Sequence, residues 1–435
     1  MPYRDVAGEY ARTLRYLYDR LPMFQRVGAA AYRQDLHRIR AMAAHLGHPE
    51  KKLVAVHIAG TNGKGSVSHM LASVFQASGR KTGLYTSPHL KDFRERIRIN
   101  GVMIPMEEVV DLTAQLRADL EELEPSFFEM TVAMAYAYFA RASVEVAVVE
   151  TGLGGRLDAT NIIHPVISVI TNISWDHAEL LGPTLPAIAR EKAGIIKPDV
   201  PVVVGEFQEE TAGVFQQIAN ERRALLHFAS QKFQLSLLAD GPEGSQWGVT
   251  RLGSTLEPPL LCDLRGHYQS KNLATVLATI EILRNLGWEI PEEAVRVGLS
   301  QVQRSTGLMG RWMVLGQQPL VVADTAHNEA GIRAVVQQAA QTPHRQLHIV
   351  WSMVSDKDRA KIWPLLPRHA TYYFAQADVP RGLDAEVLWQ EAADHGLNGA
   401  HYPSLPLALE AARREAAADD FILISGSTFG VAGIL

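Results

Sequence analysis

Cysteine is nearly missing. Cys262 is the only one in 435 residues, which excludes an intramolecular disulfide and a cysteine-built zinc site. No uninterrupted apolar stretch reaches the ~18 residues that a membrane helix needs. The opening Met1-Pro2-Tyr3-Arg4-Asp5 lacks the apolar run of a signal peptide. A basic surplus is missing too: the formal net charge is -5. Neither nucleic acid nor an anionic membrane is therefore expected as a partner, and an anionic substrate would have to be held by a local cationic site. Internal repeats and low-complexity tracts are also missing. These absences leave a reduced, cytoplasmic enzyme as the expectation, with a monomer as the default state.

What is present is ordinary globular material, 47% hydrophobic and 20% charged, long enough for two or three domains. Short apolar runs alternate with longer helical patterns, as in an α/β protein with a largely parallel sheet. Residues 53–58, 144–149, 166–170 and 201–204 are rich in Val and Ile without polar alternation, which predicts strands covered on both faces. After Ser66, apolar residues at Val67, Met70, Leu71, Val74 and Phe75 predict a helix with one apolar face, stopped at Gly79. Residues 233–264 read as a β-rich appendage. Helices are expected over 272–286 and 292–302, and polar 303–310 reads as a linker. Strands are then expected at 320–323, 347–351, 371–375 and 421–424. The expected fold is α/β: a P-loop NTPase-like N-terminal domain (1–304) with a mostly parallel sheet, and a smaller Rossmann-like C-terminal domain (305–435).

The first strand runs into Gly60-Thr61-Asn62-Gly63-Lys64-Gly65-Ser66 and then into a helix. Glycines let backbone N–H groups turn inward, the helix N-terminus adds positive potential, and Lys64 can reach terminal phosphates. That is the phosphate-loop design, with one departure: Gly65 stands where Ser or Thr would ligate magnesium, so another hydroxyl has to serve the metal. Taken alone, the segment could be a glycine-rich turn with a surface lysine; the strand–loop–helix context favours the phosphate loop. Gly152-Leu153-Gly154-Gly155 is a weak dinucleotide hint. It follows an acidic strand end instead of opening the first strand, which argues against a dehydrogenase.

The combination resembles the folylpolyglutamate synthase/dihydrofolate synthase family of the Mur ligase superfamily. The resemblance rests on Gly60–Ser66 with Thr86-Ser87-Pro88-His89-Leu90, on 94–98, on 150–161 and on Asp176-His177. It extends to 190–194 and to Asp324-Thr325-Ala326-His327-Asn328, so the matches run in order across most of the chain. It implies that Ser87, Glu150 and His177 ligate magnesium, Ser87 supplying the hydroxyl that Gly65 cannot. It also implies a carbamylated Lys192 that helps to organise a second ion. Lys192 would otherwise read as a solvated lysine at a helix end, and His177 as a structural histidine. Asn272, Arg311 and Asp324 are implied nucleotide contacts alongside the phosphate loop, and His327 joins Lys64 and Lys192 as a catalytic candidate. Glu329 stands where the family usually has proline. The 125–131 segment resembles the loop beside the family's pterin pocket, making Phe127, Phe128 and Glu129 substrate candidates; either ring could equally be core. Arg156 and Asp158 are further substrate neighbours, and Leu21-Pro22-Met23-Phe24-Gln25-Arg26 looks like a family feature near the folate site.

A carboxylate is a poor acyl donor. The implied chemistry is therefore transfer of the ATP γ-phosphate to the acceptor's carboxylate, attack by the glutamate amine on the acyl phosphate, and loss of phosphate. Lys64 and the metals stabilise phosphoryl transfer, and no side-chain nucleophile is needed. The acceptor could be dihydropteroate, a tetrahydrofolate that gains further glutamates, or both. Two other readings stand beside it: a Mur-type ligase acting on a nucleotide-linked peptidoglycan precursor, and a P-loop regulatory protein that binds or hydrolyses ATP without needing glutamate.

Overall fold

The computed structural model describes residues 5–23, 26, 28, 35–241, 243–355 and 357–435. The chain divides into two compact units. One comprises Met1–Asp263 with Gln269–Leu308, the other Leu264–Tyr268 with Met309–Leu435.

The first unit is built on an eight-stranded sheet in the order β4-β3-β2-β5-β1-β6-β7-β8. Its strands are β1 (Ala55–Ala59), β2 (Thr82–Tyr85), β3 (Ile97–Ile99), β4 (Val102–Met103), β5 (Val146–Glu150), β6 (Ile167–Ile170), β7 (Val202–Val204) and β8 (Leu226–Phe228). From β2 to β8 along that order the strands are parallel; β3 and β4 add an antiparallel edge. Every residue of β1, β2, β5, β6 and β7 is buried, as expected of a parallel sheet covered on both faces. The four apolar runs read from the sequence became β1, β5, β6 and β7. The helix Lys64–Ala77 is buried continuously from Ser66 to Phe75. The one-faced pattern expected there is exceeded because the helix Glu292–Ser300 closes its other side, where Ser73 Oγ donates to Gly298 O at 2.6 Å. Around the helix Phe127–Arg141 one apolar cluster gathers Tyr85, Ala147 and Val149. A second forms around the helix Leu185–Ala193 with Ile170, Val202 and Val204.

The β-rich segment is a three-stranded antiparallel sheet, β9 (Phe233–Gly241), β10 (Gly244–Arg251) and β11 (Ser254–Cys262). The expectation of a linker at 303–310 fails in its first half. Val302–Thr306 is helical, with Val302 and Thr306 buried and the Thr306 hydroxyl 2.7 Å from His69 Nδ1. Its polar residues find partners inside the protein, which composition alone does not reveal.

The second unit carries a six-stranded sheet, β12-β13-β17-β14-β15-β16, made of β12 (Met313–Gln317), β13 (Leu320–Ala323), β14 (Leu347–Trp351), β15 (Thr371–Ala375), β16 (Asn398–Tyr402) and β17 (Phe421–Ser425). All neighbours are parallel except β12 with β13. The Rossmann-like expectation matches this layout, with β12 and β16 as edges that the sequence did not announce.

Candidate active site

In the first unit, β1, β2, β5 and β6 are adjacent and parallel, so the loops after all four emerge at one sheet edge, where ligands gather in open α/β sheets. Those loops carry the phosphate-loop glycines, Ser87, the 151–158 segment after Glu150, and Asp176-His177.

Two glycines make the phosphate loop possible. Gly60 has φ +143°, and a Cβ there would stand 1.9 Å from Thr171 Oγ1; Gly63 has φ +85°, and a Cβ would meet Asn272 Oδ1 at 2.2 Å. Left-handed backbone and close approach both demand glycine. The loop is gripped from β6. Thr61 N donates to Asn172 O (2.9 Å), Asn62 N to Asn172 Oδ1 (3.1 Å), and Thr171 Oγ1 to Asn62 O (2.6 Å). Lys64 opens the following helix and folds back, its Nζ donating to Gly60 O and Thr61 O at 3.1 Å each. Ser66 is buried and pairs with Gln269 Nε2 at 3.5 Å. Asn272, on the helix Gln269–Asn285, lies against Gly63, so the sequence-predicted nucleotide contacts of this unit converge.

Lys192 is not a solvated lysine. It is 4% exposed, and its Nζ donates to Gly60 O at 2.9 Å. Burial, then the neighbouring Lys64 cation, pull its pKa from 10.5 down to about 7. Two lysine amines thus meet at one loop carbonyl.

Glu150 ends β5 and is buried; Ser87 N donates to its Oε2 at 3.2 Å. His177 sits on the neighbouring edge loop in a left-handed conformation, its Nε2 3.7 Å from Asp176 Oδ1. Among the described residues no cluster of three or more His, Cys, Asp and Glu could hold a metal by itself. The hard oxygens of Glu150 and Ser87 fit magnesium, which takes much of its coordination from phosphate and water.

The substrate candidates separate. Phe127 is core, 2% exposed, packed on Tyr18 and Phe93 with the Arg96 guanidinium 5.4 Å from its ring centre. Phe128 keeps free surface; it faces Tyr85 and touches the 151–158 loop, where a Cβ on Gly152 would lie 2.5 Å from its Cζ. Glu129 forms a capping box with Ser126, its Oε2 accepting from Ser126 N at 2.7 Å. Arg156 is half exposed and paired with Glu191 at 3.0 Å. Asp158 is buried, both oxygens engaged by its own loop: Oδ2 accepts from Gly152 N and Leu153 N at 2.9 Å each, and Oδ1 from Thr160 N at 3.0 Å. Its carboxylate organises the loop on which the sequence placed it as a substrate neighbour. Of the 21–26 segment, Phe24 and Gln25 lie outside the described residues.

In the second unit, Asp324 directly follows β13 and is buried. It accepts from Trp312 N (2.8 Å), Tyr268 Oη (2.5 Å) and Ala326 N (2.9 Å); burial raises its pKa and the Arg311 charge opposes that rise. Arg311 bonds Gly310 O and the Thr325 hydroxyl, so Gly310-Arg311 and the 324–328 loop form one cluster. His327 Nδ1 lies 2.9 Å from Thr325 O. Asn328 caps the helix Glu329–Gln341 by accepting from Gly331 N at 3.0 Å. Glu329, at the first helical position, pairs with Arg333 at 2.9 Å, which suits the helix dipole. Sequence reasoning missed Asn172, Gln269 and Tyr268. Asn172 could have been suspected from its place just beyond an apolar strand; the other two announce themselves only by contact.

Comparison with known proteins defines the class. Residues 58–280 match the family model described as Mur ligase middle domain, and 310–428 match Mur ligase, glutamate ligase domain. The chain is 33% identical to the dihydrofolate synthase/folylpolyglutamate synthase of Bacillus subtilis over 92% of this chain and 94% of that one. A structure described as E. coli FolC in complex with DHPP and ADP superposes with TM-score 0.85 at 32% identity, covering 99% of this chain and 98% of that one. A bifunctional folylpolyglutamate synthase/dihydrofolate synthase with Mn, AMPPNP and L-glutamate bound gives TM-score 0.82 at 30% identity, over 98% and 97% of the two chains. The chain spans 50% of a longer Haloferax volcanii relative, 33% identical and described as a probable bifunctional folylpolyglutamate synthase/dihydropteroate synthase. The chain belongs to the dihydrofolate synthase/folylpolyglutamate synthase family of Mur ligases.

Proposed function

We propose that the chain is an ADP-forming carboxylate–amine ligase. It joins L-glutamate to dihydropteroate and to reduced folate polyglutamates through an acyl phosphate, which makes it bifunctional. The observation that carries this reading is the convergence of Lys64 and Lys192 on Gly60 O beside the Ser87–Glu150 pair. Such a locus suits a nucleotide's terminal phosphates and an acceptor carboxylate, and the chemistry requires no side-chain nucleophile. When bound, magnesium would neutralise the charge that builds on the transferring phosphoryl group. Ser87, Glu150 and His177 are its proposed ligands, with a second ion near Lys192.

Lys64 leaves its loop carbonyls to hold the γ-phosphate. The N–H groups at the start of the helix Lys64–Ala77 hold the other phosphates, with Asn272 of the same unit as a nucleotide contact; Arg311 and Asp324 are the nucleotide contacts that the resemblance proposes for the second unit. Carbamylation needs a neutral amine, and a pKa of about 7 leaves roughly half of the Lys192 amine unprotonated at neutral pH. His327 is proposed as a further catalytic contact and Phe128 as the ring beside the pterin. No helix among the described residues is long and apolar enough to cross a membrane; the proposed setting is a cytoplasmic, monomeric enzyme acting on small molecules.

The test is ADP release with ATP, magnesium and L-glutamate, adding dihydropteroate or tetrahydrofolate in separate reactions. Turnover with both is expected. ATP hydrolysis that ignores glutamate and both acceptors would replace this reading with a P-loop ATPase.

A further inference from the structure

A buried polar chain runs beneath the edge loops. His57 lies in the middle of β1, 0% exposed, with Nε2 2.8 Å from the Thr160 hydroxyl. The same hydroxyl is hydrogen-bonded to Asp158 Oδ1. Asp158 receives three backbone N–H groups besides, from Gly152, Leu153 and Thr160, which favour the accepting carboxylate against the burial that raises its pKa. Thr160 therefore gives its single proton to Asp158 and must accept from His57. The Nε2–H tautomer of the imidazole fits that pattern, and Nδ1 has no partner. Burial keeps the ring neutral by pulling its pKa down to about 3. From a third direction, Tyr136 Oη donates to Thr160 O at 2.7 Å.

Thr160 is thus the point where three elements of the site are tied: β1, which delivers the phosphate loop; the 151–158 loop after Glu150; and the helix that begins at Phe127-Phe128. The loop end of the chain lies against Phe128, because Gly152 sits under that ring with no room for a Cβ. A polar chain in such a place is costly, the more so because His57 Nδ1 has no partner.

We propose that Thr160 and His57 are positioning residues for the acyl acceptor: they hold Gly152-Leu153 against Phe128 and so set the wall on which the acceptor's heterocycle rests. This rests on the ligase reading above. Thr160→Val keeps the shape and removes the hydroxyl, whereas Thr160→Ser keeps the relay. The expectation is a KM for dihydropteroate raised about tenfold in the valine variant, the scale of one lost hydrogen bond to a charged group. The KM for ATP and the magnesium requirement should be unchanged, and the serine variant should be near wild type. His57→Leu should move the same KM in the same direction, and combining it with Thr160→Val should add little; it keeps the test alive if the valine variant fails to fold. A merely structural role would lower melting temperature in all variants without separating acceptor KM from ATP KM. Valine and leucine variants with wild-type acceptor KM, or with equal losses for ATP, would overturn the inference alone. A wild type that neither turns over nor binds dihydropteroate would sink the ligase reading and this inference together.

Discussion

Lys192→Met is the most informative perturbation of the phosphate site. The wild-type ammonium is buried beside Lys64, and its pKa falls from 10.5 to about 7, a depression worth about 5 kcal/mol at 1.36 kcal/mol per unit. Because the native pKa is the lower one, the unfolded chain binds more protons than the native chain between pH 7 and 10.5. The destabilisation is therefore complete below pH 7, shrinks as pH rises, and vanishes above 10.5. Methionine fills similar space without charge. In carbon dioxide-free buffer without nucleotide or metal, the variant should be more stable than wild type by up to about 5 kcal/mol at pH 6 and by about 2 kcal/mol at pH 9. Urea denaturation of both proteins at the two pH values measures the difference of differences, about 3 kcal/mol. Activity should be lost in the variant despite its greater stability. A stability difference that does not change between pH 6 and 9 would refute the buried-ammonium argument.

Lys64→Ala should abolish turnover, at least a hundredfold by the usual scale of a lost transition-state contact, with circular dichroism unchanged; near-normal activity would remove Lys64 from phosphoryl transfer. Glu150→Gln should raise the magnesium concentration needed for half-maximal rate sharply, and an unchanged titration would count against Glu150 as a ligand. Gly63→Ala puts a Cβ 2.2 Å from Asn272 Oδ1 at φ +85°, so nucleotide affinity measured by calorimetry should collapse; wild-type affinity would show that the loop can adopt another path.

The central sheet was legible because parallel strands covered on both faces are mostly apolar, as Val202–Val204 is throughout and Val146–Glu150 is up to its last residue. The short strand Thr82–Tyr85 opens on Thr and Gly and was missed; its burial comes from its neighbours β3 and β5, which composition does not encode. The first half of the 303–310 stretch was misread for a related reason: its polar side chains are satisfied internally, Gln303 Nε2 by Asp263 O and Thr306 by His69. At the site, the glycine–lysine loop could be read because its backbone demands are local. Which of two adjacent phenylalanines is core could not, since Phe127 and Phe128 differ only in what the fold brings beside them. Asp158 shows the same limit: the resemblance put it among the substrate neighbours, and its hydrogen bonds to Gly152 N, Leu153 N and Thr160 N appear only once the loop is folded.

The claim on which the account turns is that the acceptor's carboxylate takes the γ-phosphate before glutamate attacks. Dihydropteroate carrying 18O in its carboxylate, turned over with ATP, magnesium and L-glutamate, tests this directly. The account predicts that each phosphate released carries one labelled oxygen from the acceptor. Phosphate free of label, with product still formed, would contradict the acyl phosphate.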